Sequence, residues 1–184
     1  IHVPTDYSTI QAALYSANYG DTVLVQPDTY YENITWPGVH GIKMISAGNA
    51  ANTIIDGNGT DRVLTFPSSQ YYDTTTLIKG FTLTNGHVNA SSAGGGGIYM
   101  TDASPALANL IITSNKITGG GWAYGAGMYL DNSSPLIRNV QITYNESSGD
   151  RTYGGGMHCT SGSSPVLENV IISGNQLKSN YWCH

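Results

Sequence analysis

Three copies of one motif, about thirty residues apart, limit what this chain can fold into more than anything else in it. The segment GGIYMTDASPALANLIITSN at 96–115 returns as AGMYLDNSSPLIRNVQITYN at 126–145. It returns again as GGMHCTSGSSPVLENVIISGN at 155–175, with one inserted residue. Pro105, Pro135 and Pro165 are spaced by 30, as are Asn109, Asn139 and Asn169, and Asn115, Asn145 and Asn175. A weaker copy, LIKGFTLTNG at 77–86, precedes them. Three anchors on one period mark one structural unit used repeatedly.

Within each unit the apolar pattern has period two. Ile98, Met128 and Met157, then Met100, Leu130 and Cys159, alternate with Tyr99, Tyr129 and His158. Leu110, Val140 and Val170, then Ile112, Ile142 and Ile172, alternate with Ile111, Gln141 and Ile171 and with Thr113, Thr143 and Ser173. These are short half-buried strands, and nothing between them is long enough for a crossover helix. Strands that recur in register without helices must coil, each resting about 4.8 Å from its copy. The expected fold is therefore an all-β, single-stranded parallel solenoid in which each coil buries its apolar face against its neighbours. Pro at a corner fixes φ and cannot donate to the ladder, so Pro105, Pro135 and Pro165 mark strand starts. Asn109, Asn139, Asn169, Asn115, Asn145 and Asn175 are expected to form structural ladders, buried at corners and bonded to the coils above and below.

The N-terminal third reads as a cap. Ser8-Thr9-Ile10-Gln11 has the form of a capping box, and Ile10, Ala13, Leu14 and Ala17 share one helical face. A helix over 8–18 is expected to plug the first coil and shield its open edge. Segments 22–26, 42–46 and 63–66 then begin the stack, giving about six coils. The chain divides into a cap (1–20), coils (21–175) and a short tail or truncated cap (176–184). The alternatives are a cap in which Tyr181 and Trp182 fold over the last coil, a longer array of which this is a fragment, and stacking on another molecule.

Composition narrows function by exclusion. Seven Lys plus Arg against twelve Asp plus Glu leave a net charge of −5 with no basic block, so no nucleic-acid surface is expected. Apolar runs are too short for a helical membrane span. Cys159 and Cys183 form neither a disulfide framework nor a metal pattern, which leaves a single bridge between them or a buried Cys159 thiol as the alternatives. The chain opens on Ile1 without a charged, apolar leader and reads as a processed chain or an excised domain. Five Asn-x-Ser/Thr sites, at Asn33, Asn58, Asn89, Asn132 and Asn145, fit export.

The segment IHVPTDYSTIQAALYSANYGDTVLVQPDTYYENI, followed by IIDGNG, resembles the start of right-handed parallel β-helix proteins of the pectin-lyase-like superfamily. The units GGGIY, GAGMY and GGGMH with SP-x-x-x-N are similar to repeats of bacterial secreted and surface β-helix proteins and of polymorphic outer-membrane adhesins. The resemblance implies right-handed winding and an extracellular or cell-surface location. For activity it implies a range from polysaccharide lyases and esterases to non-catalytic adhesins.

Residue by residue, the catalytic readings find little. Arg138 and Glu168 fall at equivalent outward positions about 5 Å apart, and a cross-strand ion pair explains them better than a lyase base. Asp102 and Asp131 follow the first strand in adjacent coils, with Thr160 in the third. Tyr30-Tyr31-Glu32 resembles an early pectin esterase segment, but the later signatures that carry that catalysis are absent. Asp56-Gly57-Asn58-Gly59-Thr60-Asp61 starts like a calcium loop, then places Asp61 where glycine is required and Pro67 at the twelfth position. No cofactor is expected, with at most a weak Ca2+ site there, and no metal ligand set.

The aromatic residues give the candidate site. Tyr99, Tyr129 and His158 should form an outward column. The variable links carry His87, Trp122, Tyr124 and Tyr153, with Glu146, Asp150 and Arg151, and should project from the same edge. Ring planes beside polar groups on a rigid scaffold suit stacking on sugars. The expected function is thus a non-catalytic extracellular module for surface attachment or carbohydrate contact, part of a larger secreted protein, with a polysaccharide or cell-surface glycan as partner. The alternatives are a polysaccharide lyase or related uronate-active enzyme, and a structural subunit that associates end to end into filaments.

Overall fold

The structure is a computed structural model describing residues 1–68 and 71–183, the side chains of Trp182 and Cys183 excepted. Among the described residues the strands fall into three parallel sheets of eleven, five and six strands. Every pairing is between successive turns of the chain, so the architecture is the expected parallel solenoid. The eleven-stranded sheet is bent. Its first arm stacks Thr22–Val25, Lys43–Ser46, Leu77–Lys79 and Ala106–Ala108 in register. Its second arm stacks Thr29–Tyr31, Ile54–Asp56, Thr82–Thr84 and Ile111–Thr113. In the last two turns Leu136–Thr143 and Val166–Ser173 run through both arms. The five-stranded sheet holds Ile34–Thr35, Leu64–Phe66, Ile98–Thr101, Met128–Asp131 and Met157–Thr160. The six-stranded sheet forms a lateral wing from residue 87 onward.

The winding has about five turns, not six. The segment at 63–66 does not start a new turn on the first arm. Leu64–Phe66 belongs to the five-stranded sheet, and the rung above Lys43–Ser46 is Leu77–Lys79. The C-terminal reading also changes. Gln176–Cys183 forms a rung of the wing, pairing with Glu146–Tyr153, and Tyr181 is exposed rather than folded over the last coil. The contributions expected of the Trp182 and Cys183 side chains and of His184 lie outside the described residues.

Interior columns make the core. Met44, Ile78, Leu107 and Ile137 stack on one arm and Ile55, Leu83, Ile112 and Ile142 on the other, all within 1% of complete burial. Each such side chain contributes about 1.5–3 kcal/mol relative to an exposed one. Near the cap the interior is filled by rings: Trp36 stacks on Phe66 at 5.1 Å, and Tyr72 meets Phe66 edge-on at 5.3 Å.

The cap helix is Ile10–Ser16, burying Ile10, Ala13 and Leu14 on the first turn. Its N-cap is Thr9, not Ser8, accepting from the Ala12 N–H at 3.2 Å. The Gln11 side chain does not close a capping box. It makes a two-way pair with the Thr35 backbone at 2.9 and 2.7 Å. The vacant acceptor role goes to Glu32, whose carboxylate takes the N–H groups of Ile10 and Gln11 at 2.8 and 2.9 Å. A carboxylate there satisfies two orphan donors and faces the positive end of the helix. Glu32 is thus a structural tie between cap and first turn.

The two Asn columns differ. Asn115 and Asn145 are almost wholly buried. The Asn145 carboxamide oxygen accepts from both the N–H and the Nδ2 of Asn115 at 3.0 Å, while its Nδ2 donates to Ile112 O at 3.0 Å and Asn175 Oδ1 at 2.9 Å. The Asn109, Asn139 and Asn169 column is exposed, contrary to expectation. These residues sit at φ 54, 54 and 53, where the strand bends between the two arms. Asn tolerates this left-handed conformation better than most residues. Their side chains still bond upward, at 3.1 and 2.8 Å, but in water.

The difference is testable. Asn145→Ala strands the buried N–H of Asn115 and leaves its Nδ2 with Leu83 O as its remaining partner, at about 1–3 kcal/mol for an unsatisfied buried group. It should lower the urea midpoint steeply. Asn139→Gly keeps the left-handed bend and should cost under about 0.5 kcal/mol, as a surface change does. Equal losses in the two variants would refute the assignment.

Candidate functional site

The aromatic edge forms where the wing meets the five-stranded sheet. Trp122–Tyr124 and the end of Glu146–Tyr153 lead into glycines at positive φ, Gly125 (50) and Gly154 (64), before the next strand starts. At Gly125 a Cβ would lie 2.0 Å from the Met128 carbonyl, so the corner admits no side chain. The sharp turn folds the wing rings toward the column on the five-stranded sheet.

All six sequence-predicted residues come together. Tyr99 stacks on Tyr129 at 5.3 Å and 14°, and Tyr129 on His158 at 5.8 Å and 8°. Tyr153 stacks on Tyr124 at 5.5 Å and on Trp122 at 5.9 Å. Tyr124 joins the two sets, 5.9 Å from Tyr129 and 5.0 Å from His158. Gly94 makes room for the Tyr129 ring, since a Cβ there would sit 2.6 Å from Tyr129 Cγ. Trp122 remains 42% exposed.

Two cations flank the rings. The Arg62 guanidinium carbon lies 4.5 Å above the Tyr99 ring, held by Nε donating to Gly94 O at 3.0 Å. Arg151 lies 5.0 Å over Trp122. Both are within cation–π range. Burial is the main reason the Tyr124 and Tyr129 hydroxyls are pushed above their ordinary pKa, so both remain donors at neutral pH. The hollow lined by Arg62, Ser92, Ala93, Gly94, Tyr99, Tyr124 and Tyr129 is only about 150 Å³. Pockets that enclose a small ligand run from about 300 Å³ upward. This surface offers faces to stack on, not an enclosing cavity.

The other expected residues disperse. His87 lies in the other limb of the wing, its Nε2 2.8 Å from Thr118 Oγ1. Glu146 is bonded by Lys116 at 3.1 Å and by Lys178, which hold its carboxyl below the usual range. Asp150 accepts from Asn180 at 3.1 Å. Arg138 pairs with Glu168 at 2.7 Å. Asp102 and Asp131 are not register partners: Asp131 sits opposite Thr101, and Asp102 accepts from Asn132 at 2.6 Å. Asp56 spends its oxygens on the Asn58 N–H and the Asn85 amide, at 2.8 and 2.7 Å, forming a tight turn. Among the described residues no group of three or more His, Cys, Asp or Glu side chains is placed to hold a metal. Cys159 is a free, exposed thiol rather than a buried one, because its strand Met157–Thr160 is the last in its sheet.

Arg62 and Gly94 were missed by sequence reasoning. Arg62 precedes the strict repeat, so no period places it beside Tyr99. The Gly-rich run at 94–97 signalled a bend but not which ring would lie on it.

Compared with known families, the chain matches the right-handed β-helix region over residues 15–182. Comparison with curated proteins and with solved structures returns no match.

Burial lowers the His158 pKa below the ordinary imidazole value. The unfolded chain then takes up a proton near pH 6.5 that the folded chain does not. The stability from this site is complete above about pH 6.5 and falls as pH drops below it. The difference in urea midpoint between wild type and His158→Phe, which keeps a ring but cannot titrate, should therefore change across that range. A difference that stays constant with pH would show His158 to be solvated.

Proposed function

Since the chain belongs to the right-handed β-helix family, whose fold carries many activities and dictates none, we propose that it is a non-catalytic module that holds a carbohydrate polymer against its aromatic edge. The observation behind this reading is the contiguous set of Tyr99, Tyr129, His158, Trp122, Tyr124 and Tyr153, flanked by Arg62 and Arg151. Rings alone also stabilise a sheet face by cross-strand contact. Three features favour a binding role. The Trp122 ring is partly open to solvent, hydroxyls and guanidinia adjoin the rings, and the rungs repeat at the spacing of the coils, which suits an extended polymer. The likeness of the N-terminal segment and repeats to pectin-lyase-like and adhesin proteins agrees with carbohydrate contact at a cell surface, within a larger secreted protein.

The enzymatic alternative, a uronate lyase or esterase, has fewer residues to stand on. Arg138 is engaged by Glu168, and Glu32 is engaged by the cap helix. End-to-end association rests on a separate observation. In the last turn Leu167 and Ile172 are 43% and 46% exposed, where the equivalent Ile137 and Ile142 are fully buried. The helix covering the first turn works against an unbounded head-to-tail filament.

Glycan arrays and pull-downs with neutral and acidic polysaccharides should show binding by wild type. Trp122→Ala and Tyr124→Ala should weaken it about tenfold, the order of a lost stacking contact. Arg138→Ala should not alter it. The purified chain should give no unsaturated-uronate absorbance from pectate or alginate, with or without calcium. Binding to no polysaccharide, or binding indifferent to the ring substitutions, would overturn the proposal.

A further inference from the structure

We propose a second ligand site, for an uncharged sugar ring, in the cleft between Tyr71–Asp73 and the corner where the five-stranded sheet turns into the bent sheet. The cleft measures about 620 Å³ and is lined by Tyr71, Asp73, Asp102, Ser104, Asn132 and Ser134, with Ser68 and Tyr72 at its margin. That volume lies in the range of pockets that enclose small ligands, unlike the shallow aromatic edge. The two sites stand at opposite ends of the same strand, Ile98–Thr101.

The floor is a polar lattice built by the repeat. Asp102 and Asn132 occupy one left-handed corner position in successive turns, at φ 52 and 47. Asn132 Nδ2 donates to Asp102 Oδ1 at 2.6 Å, and among the described residues Oδ2 has no donor. Beside them the Ser104 hydroxyl oxygen accepts from the Ser134 N–H at 2.9 Å, and that of Ser134 from the Ser164 N–H at 3.0 Å. Each hydroxyl proton then has no acceptor among the described residues. Donors and acceptors thus alternate across the floor, as adjacent sugar hydroxyls require.

Tyr72 anchors the wall. Its buried hydroxyl donates to Pro37 O at 3.1 Å, and its carbonyl accepts from the Ser104 N–H at 2.6 Å. Its neighbour Tyr71 is left 94% exposed at the rim, a free ring beside polar groups. Asp73 is fixed by the Thr75 N–H and hydroxyl, which hold its carboxyl below the ordinary pKa.

Charge selects the ligand class. Among the described residues the lining carries two carboxylates and no cation, so a uronate or sulfated sugar is repelled. A neutral ring donates its hydroxyls to Asp102 and Asp73 in charge-assisted bonds and lays an apolar face on Tyr71. The aromatic edge, flanked by two guanidinia, carries the opposite bias. The second site stands whether or not the edge binds glycan.

The test is an amide NMR titration of the whole chain with the methyl glycosides of glucose, galactose and mannose, and with galacturonate and glucuronate. At least one neutral glycoside should shift the amides of Tyr71, Ser104, Asn132 and Ser134, with the uronates about tenfold weaker. Tyr71→Ala should reduce neutral binding by about fivefold to tenfold. Asp102→Asn should narrow the gap between neutral and acidic probes. Tyr71 is a surface residue, so its loss tests the site without unfolding the coil. The proposal fails if no neutral glycoside moves these amides, if uronates move them equally well, or if Tyr71→Ala binds like wild type. Shifts confined to Tyr99, Trp122 and Tyr124 would support the edge while refuting this cleft.

Discussion

The molecule depends on one constraint: strands bond only to the turn before and the turn after. Among the described residues no strand meets its sequence neighbour as a hairpin, so each backbone N–H and C=O in a sheet is satisfied only if the next turn arrives in the same register. Register here is enforced at the corners. The buried Asn115–Asn145–Asn175 column saturates both side-chain amides and corner backbone in each turn. A one-residue slip would put Ile112 and Ile142 outside and leave those amides unbonded in an apolar interior, where each is costly. The repeat is therefore written in Asn as firmly as in the alternating apolar residues.

Stacking at a fixed pitch also decides what the outer surface can carry. A side chain in one turn lies beside its equivalent in the next, so repeated charges of one sign repel. The chain meets this with opposite or neutral partners: Arg138 over Glu168, Lys116 and Lys178 about Glu146, Asn132 over Asp102. Aromatic rings stack favourably with their own kind, and so Tyr99, Tyr129 and His158 can repeat in one column. The low charge content and the aromatic edge have a common cause.

How much of this was legible followed the strictness of the repeat. Where the period holds, from 96 to 175, the sequence placed the rungs, the Arg138–Glu168 contact and all six edge rings. Before residue 90 the turns differ in length. There the segment at 63–66 was read as a new coil although Leu64–Phe66 lies in another sheet. The same irregularity hid Glu32 as the helix tie and Arg62 as the cation over Tyr99. The Asn109 column was misread for a different reason. Period alone identifies a ladder but not its solvation, which depends on whether the corner residue turns inward or adopts a positive φ at a bend.

The two candidate surfaces lie where the constraint is weakest. Strand interiors must repeat, and the inward half of each strand must be apolar. Residues between sheets answer only to the turn they make, so sequence varies there without disturbing the ladder. The wing after residue 87 and the stretch around Tyr71–Asp73 are such interruptions, and each places irregular side chains beside a regular column. At the edge that juxtaposition sets Trp122 and Tyr124 against the Tyr129 column. At the cleft it sets Tyr71 and Asp73 against the Asp102–Asn132 corner. In both, the repeat supplies rigidity and spacing while the interruption supplies irregular side chains, so one scaffold sets two arginines beside one surface and two carboxylates beside the other.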